Sequence, residues 1–141
     1  MQVQPYLYFD GRCDEALAFY RTTLGAEVTA LMRFSDSPQP HPPGMLPPGS
    51  ESKVMHCNFN IGQTQLMASD GMCGGKPAFQ GITLAISPAN DAEALRIFNA
   101  LGEGGGGQVQ MPLTETFFAS SFGMVADRFG VSWMVNVVKP Q

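Results

Sequence analysis

His56 and Glu115 are the two side chains best suited to do chemistry on a small metabolite. An imidazole titrates near neutrality, and a neighbouring carboxylate can orient it, so the two would form an acid–base pair. Strand alternation over Met55–Ile61 puts His56, Asn58 and Asn60 on one face and Cys57, Phe59 and Ile61 on the other. The apolar face belongs under a helix, which leaves the polar face for a ligand. A plainer reading makes His56 a hydrogen-bonded strand residue and Glu115 a loop carboxylate. Spacing alone leaves both open. As a metal site the two would be too few.

The other reactive side chains read as structure. Cys13, Cys57 and Cys73 are odd in number and fit no CxxC pattern. Reduced thiols in a cytoplasm are therefore expected instead of a disulfide framework. No flanking base or helix start marks a nucleophile, and Cys13 and Cys57 are expected as buried filler. The methionines, Met134 among them, fill core by default, and Trp133 is expected to be packed. Hydrophobic residues make up 44% of the 141 and charged residues only 14%, which describes a compact folder with a sparsely charged surface. The net charge is -4 and the eight Lys and Arg are scattered singly, so no nucleic-acid partner is expected. MQVQPYLYF carries no signal-peptide features, and no apolar run reaches the ~18 residues of a membrane helix, so no membrane partner is expected.

The elements that must position these residues are legible from periodicity. Met1–Phe9 reads as a strand closed by Asp10-Gly11, and the segment from Asp14 to Leu24 as a helix stopped by Gly25. Glu27–Phe34 reads as a strand. A surface loop with six prolines follows, expected to serve as a lid or an interface arm. Lys53–Ile61 and Gln63–Ser69 form a hairpin around Gly62. Phe79–Ser87 is a strand, Asn90–Leu101 a helix, and Gln108–Met111, Phe122–Phe129 and Val131–Val138 are strands. The order strand-helix-strand-strand-strand thus occurs twice. Asp14-Glu15-Ala16-Leu17 is echoed by Ala92-Glu93-Ala94-Leu95, and Ile61-Gly62 by Phe129-Gly130, which points to a duplicated unit. The expectation is one α+β domain over 1–141, with module one about 1–77 and module two about 78–141.

PYLYFDGRCDEALAFY followed by LGAEV, MHCNFNIG, LMASD, TETFFA and DRFGVSWMVNVV span nearly the whole chain. On these stretches it resembles the PhnB-like branch of the vicinal oxygen chelate superfamily, which includes glyoxalase I, bleomycin-resistance proteins and extradiol dioxygenases. Members of the branch are often labelled 3-demethylubiquinone methyltransferases. The resemblance implies two βαβββ modules forming a U-shaped mixed sheet around a cavity, usually in a homodimer. The label is not supported by the residues: FDGRCDEA has one glycine, and Gly104–Gly107 follows a helix instead of preceding one.

In metal-dependent relatives, His, Glu or Gln side chains at equivalent strand positions hold a divalent ion. The resemblance carries these onto Pro5, Leu66, Gly81 and Met134, which cannot ligate a hard ion through their side chains. A slip of one residue would bring in Gln4, Gln65 or Gln80, amides alone. No metal and no cofactor are expected. The same match turns Ser132, Met134 and Asn136 inward, adds Thr83 and Ala85 from Gly81–Ile86, and places Glu115 beside Phe117 at a polar site position. The expected ligand-binding set is Asn58, Thr83, Phe117, Ser132, Met134 and Asn136. The expected function is a metal-free homodimer that binds a small-molecule ligand. The alternative is an isomerase, lyase or hydrolase using His56 and Glu115.

Overall fold

The structure is a computed structural model that describes residues 1–39, 42 and 44–140; His41 lies outside the described residues. The elements run β1 (Tyr6–Tyr8), α1 (Cys13–Leu24), β2 (Glu27–Arg33), β3 (Val54–Ile61), β4 (Thr64–Ser69), β5 (Thr83–Ile86), α2 (Asp91–Leu101), β6 (Gln108–Thr114), β7 (Ala119–Ala126) and β8 (Ser132–Val138). They form two compact units, Met1–Pro77 and Ala78–Gln141. Each unit has one helix and a four-stranded sheet, in the orders β1-β4-β3-β2 and β5-β8-β7-β6. In each sheet the outer first strand pairs parallel and the rest antiparallel. The expected α+β class with a repeated βαβββ unit is what the chain adopts.

In the first unit, α1 carries Asp14 and Glu15 in its first turn, where acidic charge favours the helix N-terminus. It ends at Gly25, whose left-handed backbone (φ 68°) lets its N–H reach the Arg21 carbonyl. Ala16, Leu17 and Tyr20 are buried, as are Leu7, Phe59, Leu66 and Ala68, which alternate onto one face of the sheet. Tyr20 and Phe59 stack with ring centroids 6.4 Å apart. Burying each such ring contributes about 2–3 kcal/mol. α1 starts one residue earlier than expected, so Cys13 does stand at a helix start. It remains filler: its Sγ lies 3.9 Å from Cys57 Sγ and both residues are fully buried. The hydrogen bond to Cys57 and burial push the Cys13 thiol up, away from thiolate character.

In the second unit, Asn90 caps α2 by accepting from the Glu93 N–H at 2.9 Å, worth about 1 kcal/mol. Ala94, Ile97, Phe98 and Leu101 are buried on the side of α2 that meets β7 and β8, whose Val125, Trp133 and Val135 are buried too; Leu95 is exposed. Trp133 is core, and its Nε1 donates to the buried Asp127 carboxylate at 2.9 Å.

Strand lengths differ from expectation for physical reasons. The first strand shrinks to Tyr6–Tyr8 because Pro5 has no N–H for the ladder, although its carbonyl still accepts from Met67. β6 runs on to Thr114 through Pro112, which an edge strand tolerates. β5 begins only at Thr83, after Gly81 in a positive-φ bend. The described residues of the proline-rich stretch form no helix or strand beyond 3-10 turns at Phe34–Asp36 and Ser50–Ser52.

The two hairpins also differ. Ile61 pairs with Thr64 across a two-residue loop, whereas Ala126 pairs with Ser132 across Asp127–Val131, which is closed by Asp127 N–H to Val131 O. Gly62 and Gly130 are therefore not equivalent points from which to count.

Candidate functional site

Because each helix covers one sheet face, the polar and sulfur-bearing residues gather on the other. In the first unit the register places Tyr6 opposite Met67, Met67 opposite Asn58, and Asn58 opposite Ala30, one residue per strand across the sheet. To one side of this row His56 pairs with Met32; to the other Asn60 pairs with Gln65, and Gln4 Nε2 donates to Gln65 Oε1 at 2.8 Å. The alternation expected for β3 holds: Cys57 and Phe59 are fully buried, while His56, Asn58 and Asn60 are half-buried on the other side.

His56 is held at both ring nitrogens. Nε2 lies 2.8 Å from Asn58 Oδ1, an acceptor, so Nε2 carries the proton in the neutral ring. Nδ1 then accepts from the Tyr6 hydroxyl at 3.0 Å. Burial pushes the Tyr6 phenol up, with a Ser69 hydrogen bond acting the other way, so near neutrality Tyr6 is a donor. Tyr6 was not among the expected site residues. Its signal was the alternation of Tyr6 and Tyr8 about Leu7.

In the second unit Thr83 and Ser132 are brought together, Oγ1 to Oγ 3.2 Å, and Ser132 Oγ donates to Gln110 Oε1 at 2.8 Å. Gln110 reaches across because the register shifts between Val109 and Met111, a bulge that no sequence pattern announced. Along the same face Ala85 pairs with Met134, Met134 with Met124, and Met124 with Met111. Beyond them Asn136 pairs with Phe122, whose ring meets Phe118 edge-on at 5.3 Å. The Asn136 Oδ1 is buried and accepts no hydrogen bond from the described residues.

Glu115 lies just past β6, in an exposed ion pair with Lys139 at 2.9 Å. Phe117 is 92% exposed. Thus Thr83, Ser132, Met134 and Asn136 share one face. Asn58 and His56 share the face of the other unit, and Glu115 and Phe117 stand on a strand connection.

A family profile described as 3-demethylubiquinone-9 3-methyltransferase matches residues 1–136. The chain belongs to this family. It is 38% identical to protein YjdN of Escherichia coli strain K12, covering 100% of this chain and 98% of that protein. The crystal structure of PA1353 from Pseudomonas aeruginosa is similar at 42% identity, with a TM-score of 0.83 and 99% of each chain covered. A glyoxylase/bleomycin resistance protein/dioxygenase domain from Frankia sp. EAN1pec shares the fold, with a TM-score of 0.64 at 13% identity over 98% of this chain and 95% of that one. The likeness to the Frankia domain shows that the chain has the glyoxalase/bleomycin resistance fold.

The ion-holding positions that the resemblance carried onto this sequence can now be placed in the structure. Leu66, carried over as one of them, is a correction: it is 3% exposed, on the face under α1. Counting from Gly62 and Gly130 misplaced it, because the hairpin loops differ in length; by face, Met67 and not Leu66 corresponds to Met134. The open face carries Gln65 instead, bonded to Gln4. Gly81 lies outside β5, and the Pro5 side chain has no donor atom. In the second unit the face offers two hydroxyls, three thioethers and amides. Hard divalent ions are held chiefly by carboxylates, with amide and hydroxyl oxygens completing the shell, and Zn or Fe by His, Cys and carboxylates, so a set of uncharged oxygens and thioethers with no carboxylate or imidazole does not fit a metal. No group of three or more His, Cys, Asp or Glu occurs together among the described residues.

Proposed function

We propose that the protein binds a small organic molecule in a metal-free cavity, as a cytoplasmic homodimer. The observation that supports this most is the make-up of the helix-free sheet faces. They are lined by amides, hydroxyls, a phenol, the His56 imidazole and methionines, with no carboxylate named among them to hold a hard cation. Asn58, Thr83, Ser132, Met134 and Asn136 provide the contacts, with Phe117 at an exposed edge. The free thiols of Cys13, Cys57 and Cys73 suit a reducing compartment, and no helix among the described residues is long and apolar enough to cross a membrane. The acid–base alternative has less support, since both His56 ring nitrogens are occupied by Tyr6 and Asn58 while Glu115 is paired with Lys139. The activity in the family's description belongs, in its usual form, to a doubly wound parallel sheet with a glycine-rich turn. Each sheet here is mixed, with a single parallel pair.

Metal analysis of the purified protein should find less than one-tenth of an equivalent of divalent ion. A thermal-shift panel of small acids, aromatics and glycopeptides should then contain a stabilising compound, because a ligand that binds only the folded state must raise the melting temperature. Its effect should vanish in Met134→Glu. Stoichiometric metal that is lost on His56→Ala would defeat the proposal.

A further inference from the structure

We infer that the open face of the second unit takes a neutral, planar aromatic ligand whose edge carries one N–H or O–H donor. This rests on the binding function proposed above and adds the chemical class of the ligand. Three observations converge on one patch.

The first is the row formed by Met111, Met124 and Met134, one from each of three neighbouring strands and in direct register. Thioethers are polarisable and unbranched, and they favour contact with aromatic rings at about 5 Å from sulfur. Three side by side, with the half-buried Phe122 next to Met124 on the same face, make an adaptable floor for a flat ring. Core filling does not account for the row. The core of this unit lies on the other face, where Val125, Trp133 and Val135 meet α2, and Met111 is 44% exposed.

The second is Asn136, directly opposite Phe122. Its Oδ1 is out of water yet accepts no hydrogen bond from the described residues. A buried acceptor left without a donor costs about 1–3 kcal/mol, so a ligand that supplies one gains more here than at the surface. The amide stands next to the methionine row, two residues beyond Met134 on β8. The donor must therefore sit at the rim of the ring instead of on a long arm.

The third is charge. Met111, Phe122, Met124, Met134, Asn136 and the Thr83–Ser132–Gln110 chain are all uncharged, and the ionised groups placed further along these strands, Asp91 on the Ser120 and Ser121 hydroxyls and the Glu115–Lys139 pair, bring no surplus positive charge. A carboxylate or phosphate would lose its hydration on this face without gaining a counter-charge.

Indole and 1-methylindole separate the donor from the ring, since they differ only in whether the nitrogen carries hydrogen or methyl. Saturation-transfer NMR on the full chain should show indole binding and 1-methylindole about tenfold weaker. Asn136→Asp, which keeps an acceptor oxygen, should retain that preference, and Asn136→Leu should abolish it. Equal affinity for the two indoles, or a preference that survives Asn136→Leu, overturns the inference. If neither indole binds but another compound of the thermal-shift panel stabilises the protein in a Met134-dependent way, the ligand class is wrong and the binding function stands. If nothing binds, both fail.

Discussion

Asp70→Ala should destabilise the protein by about 3–5 kcal/mol, a large part of the 5–15 kcal/mol that holds an ordinary domain together. Asp70 is fully buried at the end of β4. Its Oδ1 accepts from the Gly11 and Cys13 N–H groups, both at 2.8 Å, and its Oδ2 from the Val54 N–H at 2.7 Å. One carboxylate therefore ties the start of α1, the turn before it and the start of β3 to β4. Without it, two buried N–H groups and the part-buried one of Gly11 lose their acceptor, and each buried one costs about 1–3 kcal/mol. Asp70→Asn retains one acceptor oxygen and should lose about half as much. Urea unfolding followed by far-UV circular dichroism measures both. A midpoint for Asp70→Ala within error of the natural chain would refute the structural role given to this residue.

Gly123→Val is the second large effect, with an expected loss of about 2–3 kcal/mol. A Cβ at this position would stand 2.8 Å from the Phe98 ring and 2.9 Å from the Leu113 Cα. The ring could turn aside, but Leu113 Cα is backbone of the neighbouring strand, so β6 itself would have to shift. β7 and β6 must lie close here for the methionine row to form on the opposite face. Gly123→Ala should cost less, about 1–2 kcal/mol. Combining it with Phe98→Leu should give a loss smaller than the sum, because the two changes share one contact. Strict additivity would show that Phe98 is not what the new methyl meets.

Much of this architecture is legible in the residues. The helical spacing of Ala16, Leu17 and Tyr20, the Gly25 stop and the alternation through His56, Cys57 and Asn58 each report a local rule that packing then reinforces. So does the pairing of Thr83 with Ser132, which follows from parity once β5 and β8 are known to be neighbours. What failed was counting across turns. The hairpin from β7 to β8 holds five residues and that from β3 to β4 only two, so equal counts from Gly62 and Gly130 put the buried Leu66 level with Met134, which lies on the opposite face. A slip of one residue turns every side chain to the other face. Tyr6 and Gln110 were missed for another reason. Their contacts, to His56 fifty residues away and to Ser132 across a bulge, depend on tertiary register that no local pattern encodes. Asp70 likewise looks like an ordinary turn aspartate until its three N–H partners are seen.

Everything proposed about function depends on the helix-free faces receiving a ligand directly, with no ion between. The nine methionines make this measurable, since selective 13C-methyl labelling places reporters on both faces and in the loops. Methyl spectra recorded with the most stabilising compound of the thermal-shift panel should shift Met124 and Met134, or Met67, while one equivalent of Mn2+ leaves those signals sharp. Shifts confined to Met45 and Met72, or selective broadening of Met67 and Met134 by Mn2+, would contradict it.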